Sequence, residues 1–291
     1  MAERVEIFEV GPRDGLQNEK RPIPTGEKIA LIDTLSRAGF RRIEVASFVS
    51  PKWVPQMADG AEVLAGIARA PGVRYAALTP NMQGYERAKA AGADEIAIFG
   101  AASEGFSRAN INATIAESLD RFAPVAEAAR ADGMRMRGYI SCVTDCPYDG
   151  PTPPARVAEV AERLMDLGCY EISLGDTIGQ GTPDSVSAML RAVLDVAPSD
   201  RLAGHFHDTA GRALANIEAS LALGLRVFDA AVGGLGGCPY AKGATGNVAT
   251  EAVAARLAEL GYETGLDLAV IQAAAAMARA MRTGEGDGRD A

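Results

Sequence analysis

Short apolar runs alternate with longer amphipathic stretches along almost the whole chain. The short runs are rich in Val, Ile, Phe and Leu, which is typical of β-strands. The longer stretches carry Ala, Leu, Glu and Arg at the spacing of surface helices, and they begin near residues 25, 57, 81, 111, 153, 182, 211 and 246. Eight strands are predicted, over residues 5–10, 42–46, 74–78, 95–99, 135–141, 171–174, 202–206 and 226–231.

Each predicted strand is followed by one predicted helix. Strict alternation of this kind indicates a parallel sheet, and eight such units in a chain of 291 residues favour a closed (β/α)₈ barrel, a TIM barrel, over an open sheet. A further helix is predicted over residues 266–281, packed across the barrel, before a polar tail at 283–291. We therefore expect one catalytic domain over residues 1–282 and a flexible tail over 283–291.

Charge and hydropathy exclude several classes of partner. The chain has 29 Lys and Arg against 38 Asp and Glu, a formal net charge of −9, so the molecule as a whole repels nucleic acids and anionic lipid surfaces. It has no apolar run of about 18 residues that would suit a membrane span. The first strand begins too early for a signal peptide, so we expect a cytoplasmic protein.

Candidate chemistry gathers where the predicted strands end. In a parallel barrel the functional side chains lie at the C-terminal ends of the strands. The candidates follow the first, sixth and eighth strands or lie within the second and seventh, and they are Arg13, Asp14, Glu44, Asp176, His205, His207, Cys238 and Asn247. All of them are expected at one barrel mouth.

The pair His205 and His207 is the strongest local signal, and these are the chain's two histidines. Residues i and i+2 of a strand share a face, so both imidazoles point into the mouth, an arrangement that suits a divalent metal ion. Asp14 and Asn247 can reach the same place, because the first and eighth strands are neighbours in a closed barrel. Two imidazoles with carboxylate and amide oxygens favour Mg²⁺ or Mn²⁺, with Zn²⁺ or Fe²⁺ as alternatives.

Arg13 and Cys238 are the remaining reactive candidates. Arg13 next to Asp14 suits a carbonyl oxygen that becomes negative during reaction, although an ion pair with Glu44 or Asp176 is an alternative role. Cys238 follows a run of glycines that would let a loop close over a ligand. The other cysteines, Cys142, Cys146 and Cys169, lack the spacing of a metal or redox motif and are interpreted as structural.

Four segments, residues 10–20, 47–57, 98–104 and 233–247, closely resemble the 3-hydroxy-3-methylglutaryl-CoA lyase family. The resemblance runs from about residue 5 to residue 265. It implies a metal-dependent TIM barrel that cleaves this acyl-CoA to acetyl-CoA and acetoacetate, with Mg²⁺ or Mn²⁺ as cofactor.

The resemblance also implies a role for each candidate residue. By matched position, Asp14, His205, His207 and Asn247 are metal ligands and Arg13 binds substrate. The catalytic set that the resemblance implies consists of Arg13, Cys238, Glu44, Asp176 and His205. The group that removes the substrate hydroxyl proton stays open among Cys238, Asp14, Asp176 and His205.

Two positions depart from the family pattern. Phe206 and Ala210 lie next to the candidate ligands and differ from the residues expected there. A lyase for a related branched 3-hydroxyglutaryl-CoA is therefore one alternative. A Claisen-type synthase or aldolase of the same barrel class, or a silent barrel that only binds metal or CoA, are the others. A homodimer is expected from the frequency of dimers among enzymes.

Overall fold

The computed structural model describes residues 3–236 and 246–283. Its parallel strands close into an eight-stranded barrel. The first strand, Glu6–Glu9, pairs with the last, Val227–Ala230, from Glu6 opposite Val227 to Glu9 opposite Ala230. The predicted TIM barrel is therefore confirmed, including the neighbouring positions of the first and last strands.

The barrel strands lie where the hydrophobic runs predict them, within a few residues at each end. They are β1 (Glu6–Glu9), β2 (Arg42–Ser47), β3 (Arg74–Leu78), β4 (Glu95–Ala101), β5 (Arg135–Ser141), β8 (Ile172–Asp176), β9 (Leu202–Phe206) and β10 (Val227–Ala230). A short antiparallel hairpin, β6 (Asp145–Cys146) and β7 (Gly150–Pro151), follows β5. The apolar pattern did not predict this hairpin, because two-residue strands carry no period.

The helices are α1 (Thr25–Ser36), α2 (Gly60–Gly66), α3 (Met82–Ala90), α4 (Glu104–Ile111), α5 (Ile115–Asp132), α6 (Pro154–Asp166), α7 (Pro183–Leu194), α8 (Ala213–Ala222), α9 (Thr250–Glu259) and α10 (Leu268–Thr283). The prediction of one helix after each strand was wrong for β4, because two helices, α4 and α5, follow this strand. Ser103 caps α4, whereas Asn112 ends it at φ 49°. Eight residues between two caps are too few for a clear helical period.

The predicted additional helix is confirmed as α10, which packs against α1 and against the turn Val232–Gly234. It ends at Thr283, the first residue of the predicted polar tail. The rest of that tail lies outside the described residues. No helix among residues 3–236 and 246–283 is long and apolar enough to cross a membrane.

The barrel interior is charged, whereas the layer between strands and helices is apolar. On β5, Met136 and Ile140 belong to the main hydrophobic core, and the alternating Arg137 and Tyr139 are buried among polar partners. Alternation of side chains along a strand explains this division. It leaves the inward positions of the strands available for polar chemistry.

Candidate active site

A cavity of about 780 Å³ opens at the C-terminal mouth of the barrel. Its polar wall includes Arg13, Asp14, Tyr139, His205 and His207. The lining contributed by β3, β4, α4 and α5 includes the apolar residues Leu78, Phe99, Phe106, Ile111 and Phe122, together with the polar residues Asn110, Ser118 and Arg121. A mixed lining of this kind suits a ligand with a charged reactive end and an apolar portion.

Arg13 and Asp14 are presented by a single π-helical turn, Gly11–Gly15, directly after β1. The Glu9 carboxylate holds this turn, because its Oε1 accepts from the Gly11 amide at 2.8 Å and from the Val232 amide at 3.0 Å. A side chain at Gly11 would collide with Glu9 Oε1, since a Cβ there would lie 2.6 Å from it. The glycine is thus required for the close approach.

Asp14, His205 and His207 converge at one point. Potential ligand atoms of the three side chains all lie within 4.8 Å of one another. The Nδ1 atom of His207 is buried and has no hydrogen-bond partner, and such an orphaned atom is rare unless an ion or ligand binds it. One carboxylate and two imidazoles, one of which has an unpaired buried nitrogen, fit a divalent cation.

The protonation of two members of this cluster also suits a cation. Burial would lower the pKa of the third, His205, but Asp229 and Asp14 outweigh burial and raise this pKa. Burial and the nearby His205 lower the pKa of His207 to about 4, so its ring is neutral at pH 7 and keeps a lone pair. Burial alone would raise the pKa of Asp14, but Arg13 and the two histidines outweigh it and hold the pKa at about 2. Metal ligands must be deprotonated, and these two are.

Asn247 reaches the cluster from the far side of β10, as predicted. Its Nδ2 donates to Asp14 Oδ2 at 2.8 Å and to the Leu235 carbonyl at 3.3 Å, and its backbone bridges to His207. The amide therefore contacts the Asp14 carboxylate through nitrogen. Its role as a metal ligand through oxygen stays a prediction.

The Arg13 guanidinium lies between two carboxylates. Nε donates to Glu44 Oε2 at 2.6 Å and one terminal nitrogen donates to Asp14 Oδ1 at 2.8 Å. Burial lowers the pKa of Arg13, but Glu44 and Asp14 more than offset it, so the group stays a cation. The expected ion pair therefore forms with Glu44 rather than Asp176. Arg13 also lines the cavity, which allows both roles.

Three of the described candidates, Glu44, Asp176 and Asn247, do not line the cavity. Glu44 and Asn247 still contact the lining residues Arg13 and Asp14, whereas the hydrogen bonds of Asp176 go to other residues. Its neighbours Gly175 and Thr177 line the cavity, whereas Asp176 is fully buried behind them. Its carboxylate accepts from Thr144 Oγ1 at 2.9 Å and from the Gly181 amide at 2.9 Å. Asp176 therefore stabilises the loop that follows β8 through these hydrogen bonds. Cys238 lies outside the described residues, so its predicted role is untouched by the geometry.

Two polar residues that contact candidate site residues were not predicted from the sequence. Tyr139 donates to Glu44 Oε2 at 3.2 Å and lies under the Arg13 guanidinium. Asp229 contacts His205. Both lie at inward positions of their strands, so strand alternation would have singled them out.

The two positions that depart from the family pattern do not line the cavity. Phe206 points outward from β9 and is 1% exposed, and its ring occupies the space left by Gly204. The expectation that Phe206 and Ala210 shape the acyl pocket is therefore not supported by the geometry. Alternation on β9 explains why Phe206 faces away from its two histidine neighbours.

The chain matches known proteins over nearly its full length. A Pseudomonas aeruginosa 3-hydroxy-3-isohexenylglutaryl-CoA/hydroxy-methylglutaryl-CoA lyase is 60% identical over 92% of this chain and 89% of its own. The mitochondrial hydroxymethylglutaryl-CoA lyase of Bos taurus is 60% identical over 91% of this chain and 82% of its own. The crystal structure of the HMG-CoA lyase from Brucella melitensis superposes with a TM-score of 0.96 at 64% identity, covering 97% of this chain and all of that one. The HMGL-like family model matches residues 4–278, and the chain therefore belongs to the HMGL-like family.

Proposed function

We propose that the protein is a metal-dependent carbon–carbon lyase that cleaves 3-hydroxy-3-methylglutaryl-CoA to acetyl-CoA and acetoacetate. The observation that carries the proposal is the convergence of Asp14, His205 and His207 within 4.8 Å beside the Arg13 guanidinium. Identity of 60% to lyases from a bacterium and a mammal supports the same reaction.

The cluster would hold Mg²⁺ or Mn²⁺ through Asp14, His205, His207 and Asn247. When bound, such a cation supplies Lewis-acid polarisation of oxygen groups on the substrate. Cleavage also needs stabilisation of the departing thioester enolate, whose negative charge collects on oxygen. Arg13 supplies a permanent cation for that oxygen, and Glu44 orients the guanidinium by a buried hydrogen bond.

Proton transfer requires a base for the substrate hydroxyl and an acid for the enolate. Asp176 is occupied with Thr144 and Gly181, so we propose it as a positioning residue for the loop that carries Thr177. Cys238, Asp14 and His205 remain the candidates for the base. We propose that Cys238 returns a proton to the enolate carbon when its loop closes.

A test of the reaction begins with the full chain stripped of metal. Acetoacetate release from 3-hydroxy-3-methylglutaryl-CoA should be absent, and it should return when Mg²⁺ or Mn²⁺ is restored. Condensation of acetyl-CoA with pyruvate or 2-oxoisovalerate, without lyase activity, would instead identify a synthase. Inactivity with both substrate sets while calorimetry shows bound metal would favour a barrel that only binds.

The cysteine assignment has its own test. Cys238→Ser should lower kcat far more than it changes KM, because the thiol acts in proton transfer and not in binding. Cys169→Ser is a matched control, since Cys169 is buried in the core away from the cavity. A Cys238→Ser enzyme with the kcat of the unaltered protein would make Cys238 a spectator.

A second candidate substrate is favoured by three phenylalanines that line the cavity. Phe99, Phe106 and Phe122 line it, and the Pseudomonas relative is named for an isohexenyl as well as a methyl substrate. Comparison of kcat/KM for 3-hydroxy-3-methylglutaryl-CoA and 3-hydroxy-3-isohexenylglutaryl-CoA shows whether the substrate specificity of the enzyme is narrow or broad. We also propose that the protein is cytoplasmic and forms a homodimer; sedimentation of the purified protein tests the dimer.

A further inference from the structure

Behind the His205 imidazole, on the side away from Asp14, lies a buried carboxylate that the proposed reaction does not use. This is Asp229 of β10, which lies directly opposite His205 in the register between β10 and β9. His205 Nδ1 is 3.2 Å from Asp229 Oδ2, whereas His205 Nε2 is 3.9 Å from Asp14 Oδ2. One ring nitrogen therefore faces Asp229 and the other faces the candidate metal site.

Asp229 is held rigidly in this place. Arg137 grips it with both terminal nitrogens, at 2.7 Å to Oδ1 and 3.0 Å to Oδ2, and Ser173 Oγ donates to Oδ2 at 2.7 Å. Its side chain has no exposed surface. A carboxylate gripped by a guanidinium stays ionised and only accepts hydrogen bonds, so His205 Nδ1 must be the donor.

We infer that Asp229 is a positioning residue that keeps His205 in its Nδ1–H tautomer and aims the Nε2 lone pair at the Asp14 cluster. A histidine that binds a cation through one nitrogen needs the other nitrogen protonated and oriented, and a carboxylate does both. Arg137 contributes to this positioning, because its two hydrogen bonds fix the orientation of the Asp229 carboxylate. The inference rests on the metal site of the proposed function but not on the identity of the substrate.

The simpler role for Asp229 is to neutralise Arg137 in the barrel interior. Glu171 does this too, since its Oε1 accepts from Arg137 Nε at 2.7 Å. Glu171 lies toward the N-terminal end of the barrel, and it accepts hydrogen bonds from Arg42 and Arg137. The two acids thus share the charge-balancing role, and Asp229 alone of the two contacts His205.

Asp229→Asn tests the inference, with Glu171→Gln as the matched control. The carboxamide keeps the shape of Asp229, but one of its ends is now a donor. If its oxygen stays on Arg137 at the Oδ1 position, its NH₂ faces His205 Nδ1 and favours the Nε2–H tautomer. The Nε2 atom that faces the metal site then has no lone pair for a cation. Titration of the metal-free full chain with Mn²⁺ by calorimetry should show about 10- to 100-fold weaker binding.

The control separates positioning from structural damage. Glu171→Gln removes one carboxylate from the same buried network, so it should lower the stability to urea while Mn²⁺ affinity stays unchanged. Unchanged Mn²⁺ affinity in a folded Asp229→Asn protein would overturn the inference. Equal loss of affinity in both variants would also overturn it, because the effect would then come from the network and not from His205.

A measurement on the unaltered protein covers the case in which Asp229→Asn fails to fold. The chain has two histidines, so ¹⁵N–¹H correlation spectra of the imidazoles contain few signals, and His207→Ala assigns them. In metal-free protein at alkaline pH, His205 should carry its proton on Nδ1. A proton on Nε2 would contradict the inference. Neither readout requires lyase activity, so failure here is distinguishable from failure of the proposed reaction.

Discussion

Both ends of the barrel interior contain many charged side chains, but the buried polar atoms are hydrogen-bonded to different degrees at the two ends. At the N-terminal end, Arg42 donates to Glu6 at 2.6 Å and to Glu171 at 2.9 Å, and its guanidinium also lies over the Phe8 ring. At the C-terminal mouth, Glu44 Oε1 and His207 Nδ1 are buried without any hydrogen-bond partner.

This difference separates a structural charge cluster from a reactive one. Buried polar atoms are normally paired, because an unpaired one costs free energy of folding. At the N-terminal end, Glu95 Oε2 lacks a hydrogen bond but still lies 3.4 Å from Arg135 Nε. At the mouth, His207 lines the cavity, so a cation or substrate can pair its Nδ1 atom. Variants at the two ends should therefore fail in different ways.

The largest expected effect is on turnover at the mouth. His207→Ala removes a predicted ligand, so acetoacetate release should fall about a thousandfold or more, since a bound cation contributes several kcal/mol of charge stabilisation. Stability in urea should change little. Assays at saturating Mn²⁺, together with calorimetry, check this. Unchanged Mn²⁺ affinity would remove His207 from the ligand set.

The opposite behaviour is expected at the N-terminal end. Arg42→Met leaves Glu6 and Glu171 without their shared cation, and loss of one partner from a buried ion pair costs about 3 to 5 kcal/mol of unfolding free energy. Urea denaturation measures this loss. The kcat of the folded fraction should be retained, because Arg42 donates its hydrogen bonds to Glu6, Tyr170 and Glu171, none of which lines the cavity. A lowered kcat at full folding would show that the two ends are coupled.

Glu9 sharpens the comparison because it lies near the mouth yet is fully hydrogen-bonded. Burial raises its pKa from 4.5 to about 7, despite hydrogen bonds from Thr250, Val232 and Gly11. The folded protein therefore binds more protons than the unfolded chain between about pH 4.5 and pH 7, and stability falls as pH rises through that window.

Glu9→Gln should remove this part of the pH dependence. The amide oxygen can accept from Gly11 and Val232, and the amide nitrogen can donate to the Thr250 hydroxyl, which reverses its role. At pH 8 the variant should be more stable than the unaltered protein by at most about 3 kcal/mol. Parallel stability curves for the two proteins from pH 5 to pH 8 would contradict the raised pKa.

The smallest effect is expected at Phe206, beside the two histidines but on the opposite face of β9. Phe206→Leu should cost about 1 kcal/mol of stability through imperfect packing. The ratio of kcat/KM for methyl and isohexenyl substrates should stay the same, because Phe206 does not line the cavity. A shifted ratio would mean that the outer layer of the barrel controls acyl preference.

The sequence alone predicted the barrel and most of the site. Alternating strand and helix patterns determined the fold class, because each element must bury one face. The spacing of His205 and His207 predicted their shared direction, since strand geometry has a period of two. The pattern missed α4 and the β6–β7 hairpin, whose lengths are too short to show any period.

Only the tertiary structure decided which neighbours the candidate residues have. Asp176 stood in the sequence as a catalytic carboxylate, but the fold turns it toward Thr144 and Gly181. Asp229 carried no sequence motif, yet the register between β9 and β10 places it against His205. Local pattern determines which face of an element a residue occupies, whereas the partner across that face depends on strand order and register, which arise from contacts far apart in the chain.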